Sequence, residues 1–140
     1  MHRFPSEEWT EAYKNAINHC RAYREVGKPW TFGAVAMIVR SDLSLGIEED
    51  KGMVLYVHEG ECHQAKFVEG EVSPIDAEFV IVACYRRWKD VIEGRLDPIR
   101  GLMEGKLKLT KGDLSTLVRF VESSRQLVTS ARKVPTAFPH

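Results

Sequence analysis

His58, Cys62 and His63 stand close together in the chain, and imidazoles with a thiolate are ordinary zinc donors. The tight Glu59-Gly60 connection between two strand-like runs folds this stretch into a hairpin and brings His58 near Cys62. Alternation along the returning strand sends Cys62 and His63 to opposite faces, so the three donors do not readily converge. No fourth ligand is evident, and the expectation is a hairpin cluster without a metal. Cys84 follows a strand-like run and precedes Tyr85-Arg86-Arg87, whose charges favour a thiolate. Nothing in the chain marks an oxyanion hole or a third triad member, so a small core residue at a strand end is the plainer reading. Arg86, Arg87 and Lys89, with Lys106, Lys108 and Lys111 further on, have the charge to meet acidic headgroups or fatty carboxylates. Asp90 and Glu93 balance them, which favours a solvated face. Asp113 stands before Leu114 as a helix N-cap would. No glycine-rich phosphate loop, HExxH or paired-carboxylate pattern occurs. No catalytic residue, metal ligand or cofactor is expected.

The chain has the length of a single domain, 140 residues, and its 20 basic residues match its 20 acidic ones. That balance disfavours nucleic acid as a partner. The longest apolar runs, residues 34–39 and 79–84, are far too short to span a bilayer. The chain opens on a helix cap instead of a basic-then-apolar leader, and three irregularly spaced cysteines suggest reduced thiols, so a cytoplasmic protein is expected.

Helical spacing of Trp9, Tyr13, Ala16, Ile17, Cys20 and Tyr23 predicts one helix from Ser6 to Arg24. Residues 31–40 read as a strand with two apolar faces, either central and covered twice or lining a cavity with one face. Residues 53–58 and 61–68 form the hairpin, and residues 69–75 form a loop with Pro74 at its exit. A strand over 77–84 and a helix over 85–93 follow, ending at Gly94. A short helix opens on Asp97-Pro98 and presents Ile99, Leu102 and Met103. A strand over 106–109, a helix over 113–132 and a tail over 133–140 complete five strands and four helices. The pattern predicts an α+β layer, with helices on one face of a mostly antiparallel sheet.

Two regions of the chain carry a resemblance. Trp88-Lys89-Asp90-Val91-Ile92-Glu93-Gly94, Leu96-Asp97-Pro98-Ile99 and Met103-Glu104-Gly105-Lys106-Leu107-Lys108-Leu109, with Gly112-Asp113, resemble the C-terminal signature of the sterol carrier protein type 2 family. The hairpin Val54-Leu55-Tyr56-Val57-His58-Glu59-Gly60-Glu61-Cys62 is similar to stand-alone prokaryotic members. The resemblance runs from about Trp9 onward. It implies a five-stranded curved sheet, a hydrophobic tunnel between sheet and helices, and non-enzymatic binding or transfer of a fatty acid, acyl-CoA or sterol-like lipid.

Residue patterning alone favours a close-packed core, and the resemblance turns part of that core into a lining. The expected lining is Phe32, Met37, Leu55, Phe67, Phe79, Ile81, Trp88, Ile92, Leu102, Met103, Leu107, Leu117, Phe120 and Val121. Trp88 and the Leu102-Met103 helix are expected to form a movable wall, and methionine suits a pocket that repacks. An apolar lipid is the expected partner, with transient membrane-surface contact and a homodimer as further expectations. An accessory or dimerisation module with a closed core is the rival reading. A thiol or metal enzyme using His58, Cys62 or Cys84 is a third.

Overall fold

The computed structural model describes residues 1–70 and 76–139, so most of the loop expected at 69–75, Pro74 included, lies outside the described residues. Strand β2 (Val35–Val39) is buried at all five positions and forms the middle of a five-stranded open sheet. It pairs antiparallel with β3 (Lys51–His58), which pairs antiparallel with β4 (Glu61–Glu69) at one edge. On its other side β2 runs parallel to β5 (Phe79–Ala83), which pairs antiparallel with β6 (Lys108–Lys111) at the far edge. Three of the four pairings are antiparallel, and the fold is α+β. The two apolar faces of β2 are both used. Val35, Met37 and Val39 enter the main core under the helices, while Ala36 and Ile38 join Ala34, Val54, Ala77 and Val80 in a second cluster on the opposite face.

The helical layer is more broken than the periodicity predicts, with six α-helices among the described residues in place of four. The first splits into α1 (Glu7–Asn18) and α2 (Arg21–Val26). Ser6 caps α1, accepting a hydrogen bond from the Trp9 amide at 3.1 Å, and Cys20 in extended backbone caps α2. At the joint, the Asn18 amide donates to the Cys62 carbonyl at 2.9 Å and accepts from the Cys62 N–H at 2.8 Å. Asn18 thus satisfies, at the edge strand β4, backbone groups that a further strand would otherwise take. Strand β5 hands over at Cys84 to α3 (Tyr85–Ile92), and Trp88 Nε1 donates to the Ile38 carbonyl of β2 at 2.8 Å. Helix α4 (Pro98–Met103) starts as the Asp97-Pro98 pair predicts, with the Asp97 carboxylate accepting from the Arg100 amide.

The last helix divides at Phe120 into α5 (Leu114–Arg119), capped by Asp113, and α6 (Val121–Arg132). Phe120 leaves helical backbone (φ −109°, ψ 44°), and its ring packs against Phe32 at 5.0 Å and Trp30 at 5.9 Å. Strand β2 begins four residues later than expected: Gly33 has φ +110° and its carbonyl accepts from Trp30 Nε1, so residues 30–33 bend out of extended backbone. Strand β6 likewise starts later, leaving Leu107 free to drop into the core at 1% exposure. The stretch expected as a tail is docked. Strand β7 (Thr136–Ala137) pairs in parallel with β1 (His2–Arg3), Thr136 Oγ1 accepts from Trp9 Nε1 at 2.9 Å, and Phe138 packs on Phe4 at 5.9 Å.

Asn18→Ala removes both bonds to Cys62 and leaves its N–H and C=O reliant on water. The expected loss is about 2 kcal/mol of unfolding free energy. It reads as a lower urea midpoint at unchanged slope, whereas a midpoint equal to that of the parent protein would deny Asn18 this role.

Candidate functional site

Between the inner sheet face and the helical roof lies a cavity of about 50 Å³. Val35 and Met37 of β2, Val57 of β3 and Ile81 of β5 form its floor, with Leu107 beside them. Each helix described above lends it a wall: Tyr13 from α1, Tyr23 from α2, Trp88 from α3, Ile99 and Leu102 from α4, Leu117 from α5 and Leu127 and Val128 from α6. Trp30, from the connection between α2 and β2, closes the remaining side.

Six residues of the expected lining meet here: Met37, Ile81, Trp88, Leu102, Leu107 and Leu117. Leu55, Phe79 and Ile92 are buried in the same core without reaching the cavity, and Phe79 packs on Trp30 at 5.3 Å. Phe67 lies half-buried on the edge strand, with the Lys51 ammonium over its ring. Phe32 and Phe120 pack on each other at a tilt at the periphery, and Val121 is half-buried at the start of α6. Met103 is 69% exposed, because the single turn of α4 that turns Ile99 and Leu102 inward rotates the next position into solvent. Tyr13 and Tyr23 escape the sequence reading because an aromatic stripe at helical spacing fits a simple cover equally well, and Trp30 escapes it because it lies between the expected helix and strand, outside any periodic pattern. Ser123 and Ser124 also line the space and escape it too, since serine on a helix ordinarily marks the wet side.

Among the described residues, the lining carries no charged side chain. Its polar atoms are internally matched: the Tyr13 hydroxyl donates to the Leu127 carbonyl at 2.8 Å, and Ser123 hydrogen-bonds the Tyr23 hydroxyl. Burial pushes the Tyr13 phenol well above its ordinary range, with Cys62 and Tyr23 adding to the effect. Burial, then Cys62, raises Tyr23 in the same direction. Both phenols stay neutral, so the space offers apolar contact and neutral hydrogen bonding only.

The three thiols are unpaired. At the hairpin, a register shift between Tyr56 and Val57 leaves His63 outside the ladder, its ring 6.3 Å from that of His58. Cys62 points inward, with Sγ 3.3 Å from the Gln64 carbonyl. Among the described residues, no three His, Cys, Asp or Glu side chains are grouped to hold a metal ion. Cys84, read from sequence as a core residue, is exposed. Burial would raise the Cys20 thiol, but the Tyr23 amide, Ser130 and Lys133 together hold it below its ordinary value. Burial pushes the Cys62 thiol up to about 11. A raised thiol pKa means less thiolate at a given pH, about one part in a thousand for Cys62 at pH 8. Iodoacetamide at pH 8 should therefore add to Cys84 first and spare Cys62 until the protein is unfolded. Peptide mapping that finds Cys62 alkylated as fast as Cys84 would contradict this arrangement.

No protein-family model matches the sequence, and no curated protein matches it. Solved structures do. A crystal structure of sterol carrier protein 2 is 39% identical, covers 92% of this chain and 97% of its own, and superposes with a TM-score of 0.85. The solution structure of a conserved hypothetical protein from Thermus thermophilus is 38% identical, covers 94% and 90%, and also gives 0.85. The apo form of sterol carrier protein 2 from Yarrowia lipolytica, at 17% identity, 92% and 93% coverage and a TM-score of 0.56, shares the fold. With 38–39% identity over nearly the whole of both chains in the first two cases, the protein belongs to the sterol carrier protein 2 family.

Proposed function

We propose that the protein binds and carries an apolar lipid in the space between its sheet and its helices, without covalent chemistry. The observation that carries this reading is the uncharged, aromatic-rich cavity on which the sheet and the whole helical layer converge. The names of the relatives, sterol carrier proteins, support the same class of ligand. A guest of ordinary size needs roughly 300 Å³ or more. The cavity of about 50 Å³ is then the closed form of a tunnel, and loading requires a wall to move. The short helices α4 and α5, bounded by Gly94, Gly105 and the Phe120 break, are that wall. Burying about ten methylenes at ~0.8 kcal/mol each gives roughly 8 kcal/mol before association costs, which suits micromolar or weaker binding and easy release.

Delivery between membranes needs a surface contact. Met103, 69% exposed next to cavity-lining Leu102, and Val118, 41% exposed next to Leu117, offer apolar tips on that wall. Unpaired thiols fit work in the cytoplasm. The smallness of the cavity favours one rival, a dimerisation module with a closed core. Sedimentation of delipidated protein separates the two, since a tight dimer indifferent to lipid supports the module.

Delipidated protein should enhance the fluorescence of an acyl or sterol probe saturably, and a brominated fatty acid should quench Trp30 and Trp88, which line the cavity. Trp9 packs instead against Phe4 and Thr136, outside the lining. The Trp30→Phe/Trp88→Phe variant should lose most of the bromine quenching. No probe enhancement, or quenching that survives in the double variant, sinks this reading.

A further inference from the structure

A second hollow, about 170 Å³ and open to solvent, sits between the α3–α4 turn and α6. It shares two walls with the inner cavity: Pro98 and Val128 line both. One side of that partition is apolar and uncharged, whereas the other carries Arg125, Arg132 and Asp97. We propose that the outer hollow is a head-group subsite for a single negative charge, that the partition at Pro98 and Val128 is the portal, and that the ligand is a long-chain carboxylate. This rests on the lipid-binding reading.

Charge decides the placement. A carboxylate inside the cavity would lose its hydration with no cation to replace it, because the two phenols and Ser123 are already engaged with the protein and Ser124 offers only a neutral hydroxyl. An anionic amphiphile with its tail inside must therefore keep its head outside the partition. In the outer hollow the two arginines are not equivalent. Arg125 is committed, its Nε 2.9 Å from Asp97 Oδ1 and a terminal nitrogen 3.0 Å from Glu122 Oε1. Asp97 is committed in turn, since it also caps α4. Arg132 forms no ion pair or hydrogen bond with other described side chains, and its exposed guanidinium lies over Gly94.

Gly94 is required there twice over. It has φ +85°, and a Cβ on it would stand 2.5 Å from the guanidinium carbon. The turn thus leaves room for a cation at the rim of the hollow, one wall away from the apolar space. A lone uncommitted positive charge among the described lining residues matches a monoanion such as a free fatty acid better than a polyanionic acyl-CoA. Asp97 opposes any anion that approaches without engaging Arg132, which makes that residue the determinant of preference.

The test uses two ligands of one chain length, palmitic acid and hexadecanol, each displacing a fluorescent acyl probe from full-length protein at pH 8 and low salt. The parent protein should prefer the acid. Arg132→Glu should reduce the acid-to-alcohol preference by about tenfold, and Arg132→Lys should retain most of it, since an exposed charge-assisted pair is worth up to that factor. Arg132 is exposed on the last turn of its helix, so far-UV circular dichroism should show both variants folded. A preference unchanged by Arg132→Glu overturns the subsite while the alcohol still reports lipid binding. Failure of both ligands to bind the parent protein overturns the lipid reading and the subsite together.

Discussion

Strand β2 must be dry on both faces, and that requirement dictates what lies above and below it. Its alternate residues feed two separate apolar clusters, so neither neighbour in the sheet can be an edge and neither face can meet water. The parallel partner β5 and the antiparallel partner β3 satisfy its backbone. From α3, Trp88 ties the roof to this strand through the Ile38 carbonyl, in a hydrogen bond shielded from solvent. The same indole lines the cavity. The proposed ligand space is therefore built around the most constrained strand of the fold, while three of the helices opposite it, α2, α4 and α5, are only six residues long.

That division explains which features could be read from sequence. The five strands of the main sheet, the hairpin turn at Glu59-Gly60 and the Asp97-Pro98 helix start were legible because each is a local matter of alternation, backbone sign or capping, whereas the β1–β7 pair joins residues from opposite ends of the chain. Helix continuity was not. Residues 6–24 keep one apolar stripe across a break, because the cause is a long-range pair of bonds between Asn18 and Cys62. Phe120 likewise ends α5 where its ring finds Trp30 and Phe32, residues distant in the chain. Periodicity sees neither event.

The lining was legible in part for the same reason. Met37 and Ile81 follow from strand parity, and Leu102 and Leu117 from helical phase. The break at Phe120 resets that phase, so the stripe continues through Ser123, Leu127 and Val128 instead of Phe120 and Val121. Ser123 at the cavity could be recognised only once the facing Tyr23 was in place, because its polarity is answered across the space and not along the helix.

The pairing of β1 with β7 has a mechanical side. The two strands run in parallel, so tension applied at the first and last residues draws them past each other along their length. The bonds from the His2 amide to the Pro135 carbonyl and from the Phe4 amide to the Ala137 carbonyl are then loaded together, in shear, and do not peel one at a time. If the roof loosens to admit a guest, as proposed, the fold can in this way yield at its centre while its extremities stay clasped.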